Sequence, residues 1–387
     1  MLKSVYIKII VNSIMAAFCI TNYDAICNLG NNIDEIFENA ISGKDCFLEN
    51  DNDFIKGKSF YFGKVAPLDV SIQDEAFYTK TNKMLAYLAK RMNLSKVIDK
   101  YSAENVAVVI ATTNSGSEEF SQNHNEKLSQ IGNPANFLQN FLGTKNYVSS
   151  VSTACSSGIK VFSTAKRLLD AGVCKAAIVG GSDELSHLSV HGFNSLEILS
   201  DEVSVPFSKN RKGINIGEGA ALFVLEKSND GIEIKGIGET SDAYHASKPE
   251  PDGIEIVNAI KKALFSANLS AKDIDYINLH GTGTVANDES EAKAVWQIFG
   301  DSVYCGSTKP LTGHCLGAAA AIETALCCKM LSCNIILKHR FDGCFDEDLP
   351  KIKLSDKNQK IGVNIVMNNA FGFGGTNAVM ILGGKND

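Results

Sequence analysis

The chain of 387 residues lacks a basic surplus: 37 Lys and Arg stand against 44 Asp and Glu, a formal net charge of −7. Non-specific nucleic-acid binding rests on basic surface, so that class is excluded at the outset. No block of like charges marks a disordered tail. The 11 cysteines include no C-x-x-C pair and no Cys/His spacing of a zinc site, and only Cys327 and Cys328 adjoin. They predict small buried thiols in a reducing cytosol, with no metal centre. No uninterrupted run of about 18 apolar residues predicts a membrane span. The opening MLKSVYIKIIVNSIMAAFCI places Lys3 and Lys8 before apolar residues, as a secretory signal would. However, Asn12 and Ser13 interrupt it and no A-x-A-like cleavage site follows. Residues 1–14 therefore read as an extension ahead of the fold, with Met15 an alternative start.

What is present is an ordinary globular composition, 44% apolar and 21% charged. Short β-branched runs alternate with helical patterns, which predicts an α/β protein with buried strands. Strands are expected at MAAFCIT, 105–112, 176–181, 220–225, 274–279 and 361–366, and a short amphipathic helix at 33–42. A strand ending in a Gly/Ser/Thr turn occurs at 105–117 and again at 274–284. A strand with a Gly-rich end occurs at 176–181 and again at 361–375. This echo predicts two similar halves, 15–226 and 227–387, although their sequences share almost no identity.

Four segments carry chemistry. In VSSVSTACSSGIKVFSTAKRLLDAG, Ile159, Phe162, Ala165 and Leu169 share one face of a helix that begins just after Cys155. Cys155 thus sits in a sharp strand-to-helix turn, where free backbone N–H groups and the helix dipole favour a thiolate and can hold an oxyanion. Ala154, Ser156, Ser157 and Gly158 would leave room for substrate. An inert buried cysteine is the competing reading, and this setting favours the nucleophile. In INLHGTGT, His280 ends a strand, and Thr282 and Thr284 offer hydroxyls to a polar arm or phosphate.

In KPLTGHCLGAAAAIETALCCKML, the segment 315–328 is apolar nearly all round, so it should be a buried helix. His314 lies at its start, where the dipole disfavours imidazolium. Glu323 is the one acid in that segment; either Lys309 partners it or it reaches solvent at one edge. In NAFGFGGTN, the glycines permit close backbone approach. It lacks the Lys-Ser/Thr ending of a P-loop and leads into a strand, which argues against a nucleotide site.

Taken in order, TACSSG, HGTGT with Asp288, KPLTGH with GAA, and FGFGGTN resemble the four signatures of the β-ketoacyl-acyl carrier protein synthases, over about residues 15 to 384. GFNSLEILS, INIGEGAAL and SDAYHASKPEPDG resemble the aryl-polyene-type members. The resemblance implies a thiolase-like α/β fold: two similar halves in a five-layered αβαβα body, usually dimeric, as a homodimer or with a chain-length-factor-like partner. It implies a Cys-His-His triad at Cys155, His280 and His314, supported by Lys309 and Glu323. It places the gate and an oxyanion-hole N–H at Phe373, and substrate contacts at Thr282, Thr284, Phe371 and Gly374. Acyl groups would arrive on the phosphopantetheine of an acyl carrier protein, with no other cofactor.

Because such carriers are acidic, Lys209, Arg211 and Lys212 are candidates for the dock. The sequence departs from the pattern at TNYDAICNLGNN, at Val285 and at Ser117, Glu118 and Glu119, which leaves acyl specificity open. A degradative thiolase would need a second cysteine within 369–377, and none is there. A chalcone-like synthase would carry Asn where His314 stands. A non-catalytic chain-length partner would be expected to lose Cys155.

Overall fold

The computed structural model describes residues 17–44 and 46–384, so the extension expected at 1–14 lies outside them. Among the described residues, eleven strands form one hydrogen-bonded sheet order. The first half supplies β1 (Ala17–Cys27), β2 (Val106–Ala111), β3 (Val148–Val151), β4 (Ala176–Asp183) and β5 (Gly219–Ser228). The second supplies β6 (Ile232–Ser241), β7 (Tyr276–Asn278), β8 (Tyr304–Gly306), β9 (Lys353–Leu354), β10 (Ile365–Gly372) and β11 (Thr376–Gly383).

Their spatial order is β3-β2-β4-β5-β1-β6-β11-β10-β7-β8-β9. Read outward from the junction, β1-β5-β4-β2-β3 repeats as β6-β11-β10-β7-β8. The strand directions repeat as well: β2 is parallel to β3 and β4, and β7 is parallel to β8 and β10. β5 and β11 run antiparallel to their neighbours on both sides. The echo heard in the sequence is thus a repeated topology. The halves join through a short β1–β6 pairing, Cys19 with Glu233 and Ile20 with Ile232.

Helices close the layers. α1 (Lys80–Arg91), α2 (Ser117–Asn123) and α3 (Asn133–Leu142) belong to the first half, with α1 and α3 on the outer face of its sheet. α4 (Ser157–Asp170) lies on the inner face, and α5 (His187–Ser195) follows β4. In the second half α6 (Ile254–Ala267) and α7 (Val285–Phe299) cover the outer face, and α8 (Ala319–Cys333) lies inside. α4 and α8 therefore touch each other between the two halves of the sheet, giving five layers with the largest core at the centre. Leu316–Cys333 has the length and mean hydropathy, 1.4, of a membrane helix, although Glu323 and Lys329 interrupt its apolar run. It is 83% buried inside this body, where an all-round apolar surface is what a middle layer requires.

Small residues let the two inner helices meet. A Cβ on Gly158 would stand 2.5 Å from the Ala321 backbone nitrogen. Gly158→Ala should therefore force α4 and α8 apart and lower stability by about 1–3 kcal/mol, as overpacking does. Urea unfolding checks this, and an unchanged midpoint would show that the helices yield freely.

Candidate active site

The end of β3 leads through Thr153 and Ala154 into Cys155, and Ser156 precedes α4 without a side-chain capping bond. Ala154 sits at φ +51°, a left-handed conformation costly for a residue with a Cβ. Hydrogen bonds hold that strained turn. Ser157 Oγ accepts the Thr153 N–H at 2.8 Å and donates to the Ala154 carbonyl at 2.6 Å; Ser156 Oγ donates to the Thr153 carbonyl at 2.8 Å. Ser156, Ser157 and Gly158, expected to make room for substrate, are instead fully buried in this bracing and in helix contact. The end of β10 presses on the same turn: a Cβ at Gly372 would lie 3.0 Å from both Cys155 N and Thr153 O. Any side chain there would push the turn aside by a few tenths of an ångström.

Two imidazoles reach the sulfur from the other half. His314 follows the short helix Lys309–Thr312, and its Nε2 lies 3.0 Å from Cys155 Sγ. Its Nδ1 accepts the Leu316 backbone N–H at 3.0 Å, so the ring proton belongs on Nε2. The helix expected from 315 starts as a 3₁₀ turn, Leu316–Ala318, and becomes α8 only at Ala319; that turn presents the N–H. His280 follows β7, with its Nδ1 3.3 Å from Lys309 Nζ. An ammonium can only donate, so here too the proton belongs on Nε2.

The sulfur and one nitrogen from each ring lie within 4.8 Å of one another, and the rings are edge to face at 5.5 Å. Burial, reinforced by Lys309, drives both histidines well below the usual imidazole range, so both are neutral donors.

The sulfur itself departs from expectation. Burial pushes the Cys155 thiol up to about 11, against the pull of Lys309 and of the Phe373 and Cys155 backbone N–H groups. The helix start thus softens the cost of charge without holding a resting thiolate.

Lys309 uses all three of its protons. Nζ donates to the His280 carbonyl at 2.6 Å and to Glu323 Oε1 at 2.5 Å, and the third faces His280 Nδ1. Both side chains of the ion pair are 2–3% exposed. Burial still raises the Glu323 carboxyl above its usual range, with Lys309 pulling the other way.

Two acids that sequence reasoning missed hold the frame. Glu291, on α7, accepts the His280 and Gly281 N–H groups at 2.8 Å each, and burial pushes it up to about 7. Asp183, at the end of β4, accepts the N–H groups of Thr113, Asn114 and Gly317, which anchors the turn after His314. For Asp183 the only hint was an acid just past the apolar run 176–181, and for Glu291 the sequence offered none.

A cavity of about 350 Å³ opens in front of the sulfur, lined among others by Cys155, His280, His314, Thr282, Thr284, Phe371 and Phe373. The Thr282 and Thr284 hydroxyls meet at 2.9 Å, and the Phe371 ring stands edge-on to His280 at 5.9 Å. Phe373 rests against Phe193 of α5, 5.8 Å between centroids, a contact the sequence did not announce.

Gly374 is not among the lining residues. Its φ is +80° and its N–H is spent on the Ala246 carbonyl at 2.7 Å, so it turns the chain and offers substrate no N–H. Arg211 also fails as a surface charge. Its guanidinium is 6% exposed, paired with Asp346 and 4.0 Å from Asp288, which in turn accepts the Phe207 and Gly283 N–H groups. Buried acids drew it inward. Lys209 and Lys212 are exposed, and Lys212 lines the cavity mouth while paired with Glu202.

Comparison with known proteins places this arrangement. Residues 17–231 match the N-terminal domain of β-ketoacyl synthase, and residues 232–340 match its C-terminal domain. A 3-oxoacyl-[acyl-carrier-protein] synthase 2 of Coxiella burnetii is 36% identical over 256 residues, 60% of this chain and 61% of that protein. Nodulation protein E of Rhizobium meliloti is 34% identical over 62% of each chain. The matched stretch thus spans about three fifths of the length of these curated relatives. The ketosynthase ApeO of Xenorhabdus doucetiae, solved in complex with its chain length factor ApeC, superposes with a TM-score of 0.91. It is 34% identical and aligns over 95% of this chain and 98% of its own. The expected thiolase-like fold is the fold found, and the chain belongs to the β-ketoacyl synthase family.

Proposed function

We propose that the protein is a 3-oxoacyl-[acyl-carrier-protein] synthase, an acyltransferase that joins an acyl group on Cys155 to malonyl carrier protein by decarboxylative Claisen condensation. One observation carries this reading: the Cys155 sulfur and one ring nitrogen from each of His280 and His314 lie within 4.8 Å of one another, and the Phe373 and Cys155 backbone N–H groups also act on that sulfur. In the first half-reaction Cys155 attacks the acyl thioester, and the tetrahedral oxyanion takes the N–H groups of Cys155 and Phe373. The thiol proton ends on the departing phosphopantetheine arm, whose polar groups meet Thr282 and Thr284. In the second, malonyl carrier protein loses carbon dioxide. His280 and His314 donate through Nε2 to the enolate oxygen, the carbanion attacks the Cys155 thioester carbonyl, the C–S bond breaks, and the released Cys155 thiolate takes a proton from water. The 3-oxoacyl product leaves on the carrier.

Neutral imidazoles suit this role, since they donate without being drained by a strong acid–base exchange. The scheme draws on no cofactor beyond the carrier's arm. Incubating the protein with malonyl carrier and a panel of acyl donors, followed by intact mass of the carrier, should show two-carbon-extended 3-oxoacyl products. Their absence for every donor, with malonyl carrier intact, would refute the reading.

The partners follow the same reading: an acyl carrier protein, and a second ketosynthase-like subunit, either a copy of this chain or a chain-length-factor-like one. ApeO, solved with its chain length factor, supports the latter arrangement. The pathway then lies in fatty-acid, aryl-polyene or polyketide assembly. Eleven free cysteines suit a reducing cytoplasm. The two halves form separate family domains meeting near 226–231. For the dock, Lys209 and Lys212 remain. Reversing both charges should raise the KM for carrier protein by about 2- to 5-fold per charge and weaken its salt dependence, with kcat kept. An unchanged KM would move the dock elsewhere.

A further inference from the structure

Away from the cavity, α5 carries His187 and His191 four residues apart, which sets both imidazoles on one helix face. Their rings lie side by side, centroids 6.2 Å apart and planes within 24°. Both reach solvent: the His187 side chain is 49% exposed and His191 is exposed. Glu118, on α2, accepts the His187 backbone N–H at 2.9 Å and holds both carboxylate oxygens 3.1 Å from His187 Nδ1. Partial burial raises the Glu118 carboxyl, but the His187 backbone and ring outweigh it and keep the group below its usual range.

A carboxylate only accepts, so the His187 proton belongs on Nδ1, which leaves Nε2 a free lone pair. A histidine that gives its second ring N–H to a carboxylate is fixed in tautomer and made more basic, the arrangement that supports metal ligation. Two imidazoles bound to one ion at nitrogen–metal distances of 2.0–2.1 Å have ring centroids about 5 Å apart. The 6.2 Å separation exceeds this by little, so ligation requires the exposed His191 side chain to turn toward His187.

We propose that His187 and His191 form a surface site for a divalent transition-metal ion, with Glu118 as the group that orients His187. Imidazole pairs suit Zn²⁺, Ni²⁺ and Cu²⁺ and not Mg²⁺ or Ca²⁺. Cys155, His280 and His314 offer a second ligand set, so the test must separate the two. Calorimetric titration of Ni²⁺, and separately Zn²⁺, into the untagged full chain after iodoacetamide alkylation of its accessible thiols does so.

One ion per chain is expected. His191→Ala and His187→Ala should each weaken binding at least about 10-fold, and Glu118→Gln by about 10-fold with both imidazoles retained. Leu188→Ala, between them and 70% exposed, should change nothing. His191 is exposed, so its loss leaves the fold intact. No saturable binding by the alkylated protein, equal binding by His191→Ala, or equal affinity for Mg²⁺ would each overturn the proposal.

Discussion

Cys155→Ala is expected to lower acyl transfer and condensation by more than about 10⁴-fold, because the proposed covalent half-reaction loses its nucleophile. The same variant should keep decarboxylating malonyl carrier protein. In the proposed mechanism His280 and His314 hold the enolate, and their tautomers are set by Lys309 and by the Leu316 N–H, not by the sulfur. Carbon dioxide release and product mass, measured side by side, check the split. Loss of both activities to the same degree would mean that the histidines depend on Cys155 for their placement. Retained condensation would remove Cys155 from the chemistry.

Lys309→Met should cost both stability and rate, for separable reasons. It strands Glu323 as an unpaired carboxyl in the middle layer, which destabilises by about 3–5 kcal/mol. It also removes the donor that holds His280 Nδ1 unprotonated, so the Nε2–H is no longer assured and condensation should fall by about 10²–10³-fold. The double variant Lys309→Met with Glu323→Leu removes the stranded charge. It should regain most of the stability in urea unfolding, because a buried pair replaced by apolar side chains is often neutral. It should not regain the rate. Recovery of both would make the pair purely structural; recovery of neither would locate the damage outside it.

Much of this was legible in the chain because it is local. Short β-branched runs gave up most of the strands, although the one expected at 361–366 begins only at Ile365, and the small residues around Cys155 gave up the turn. The greasy stretch after His314 marked an inner helix, and Lys309 stood ready for its one acid. What stayed hidden depends on residues remote in sequence. Asp183 reads as one more acid until Gly317, 134 residues away, donates to it. Glu291 reads as a surface helix residue until the His280 turn folds onto α7. Arg211 reads as a solvent cation until Asp346 pulls it inside. The thiol went astray for a related reason. A helix N-terminus can be seen in sequence, but the burial that outweighs it cannot. Gly158 was seen as empty space when its smallness serves a neighbouring helix.

The account turns on where the acyl group sits between the two half-reactions. Mixing the protein with an acyl carrier thioester, quenching in acid and mapping peptides by mass tests this directly. It should find one acyl group per chain, on the peptide carrying Cys155 and on its sulfur. Condensation proceeding with that peptide never acylated, or with the acyl group fixed on another cysteine, would contradict it.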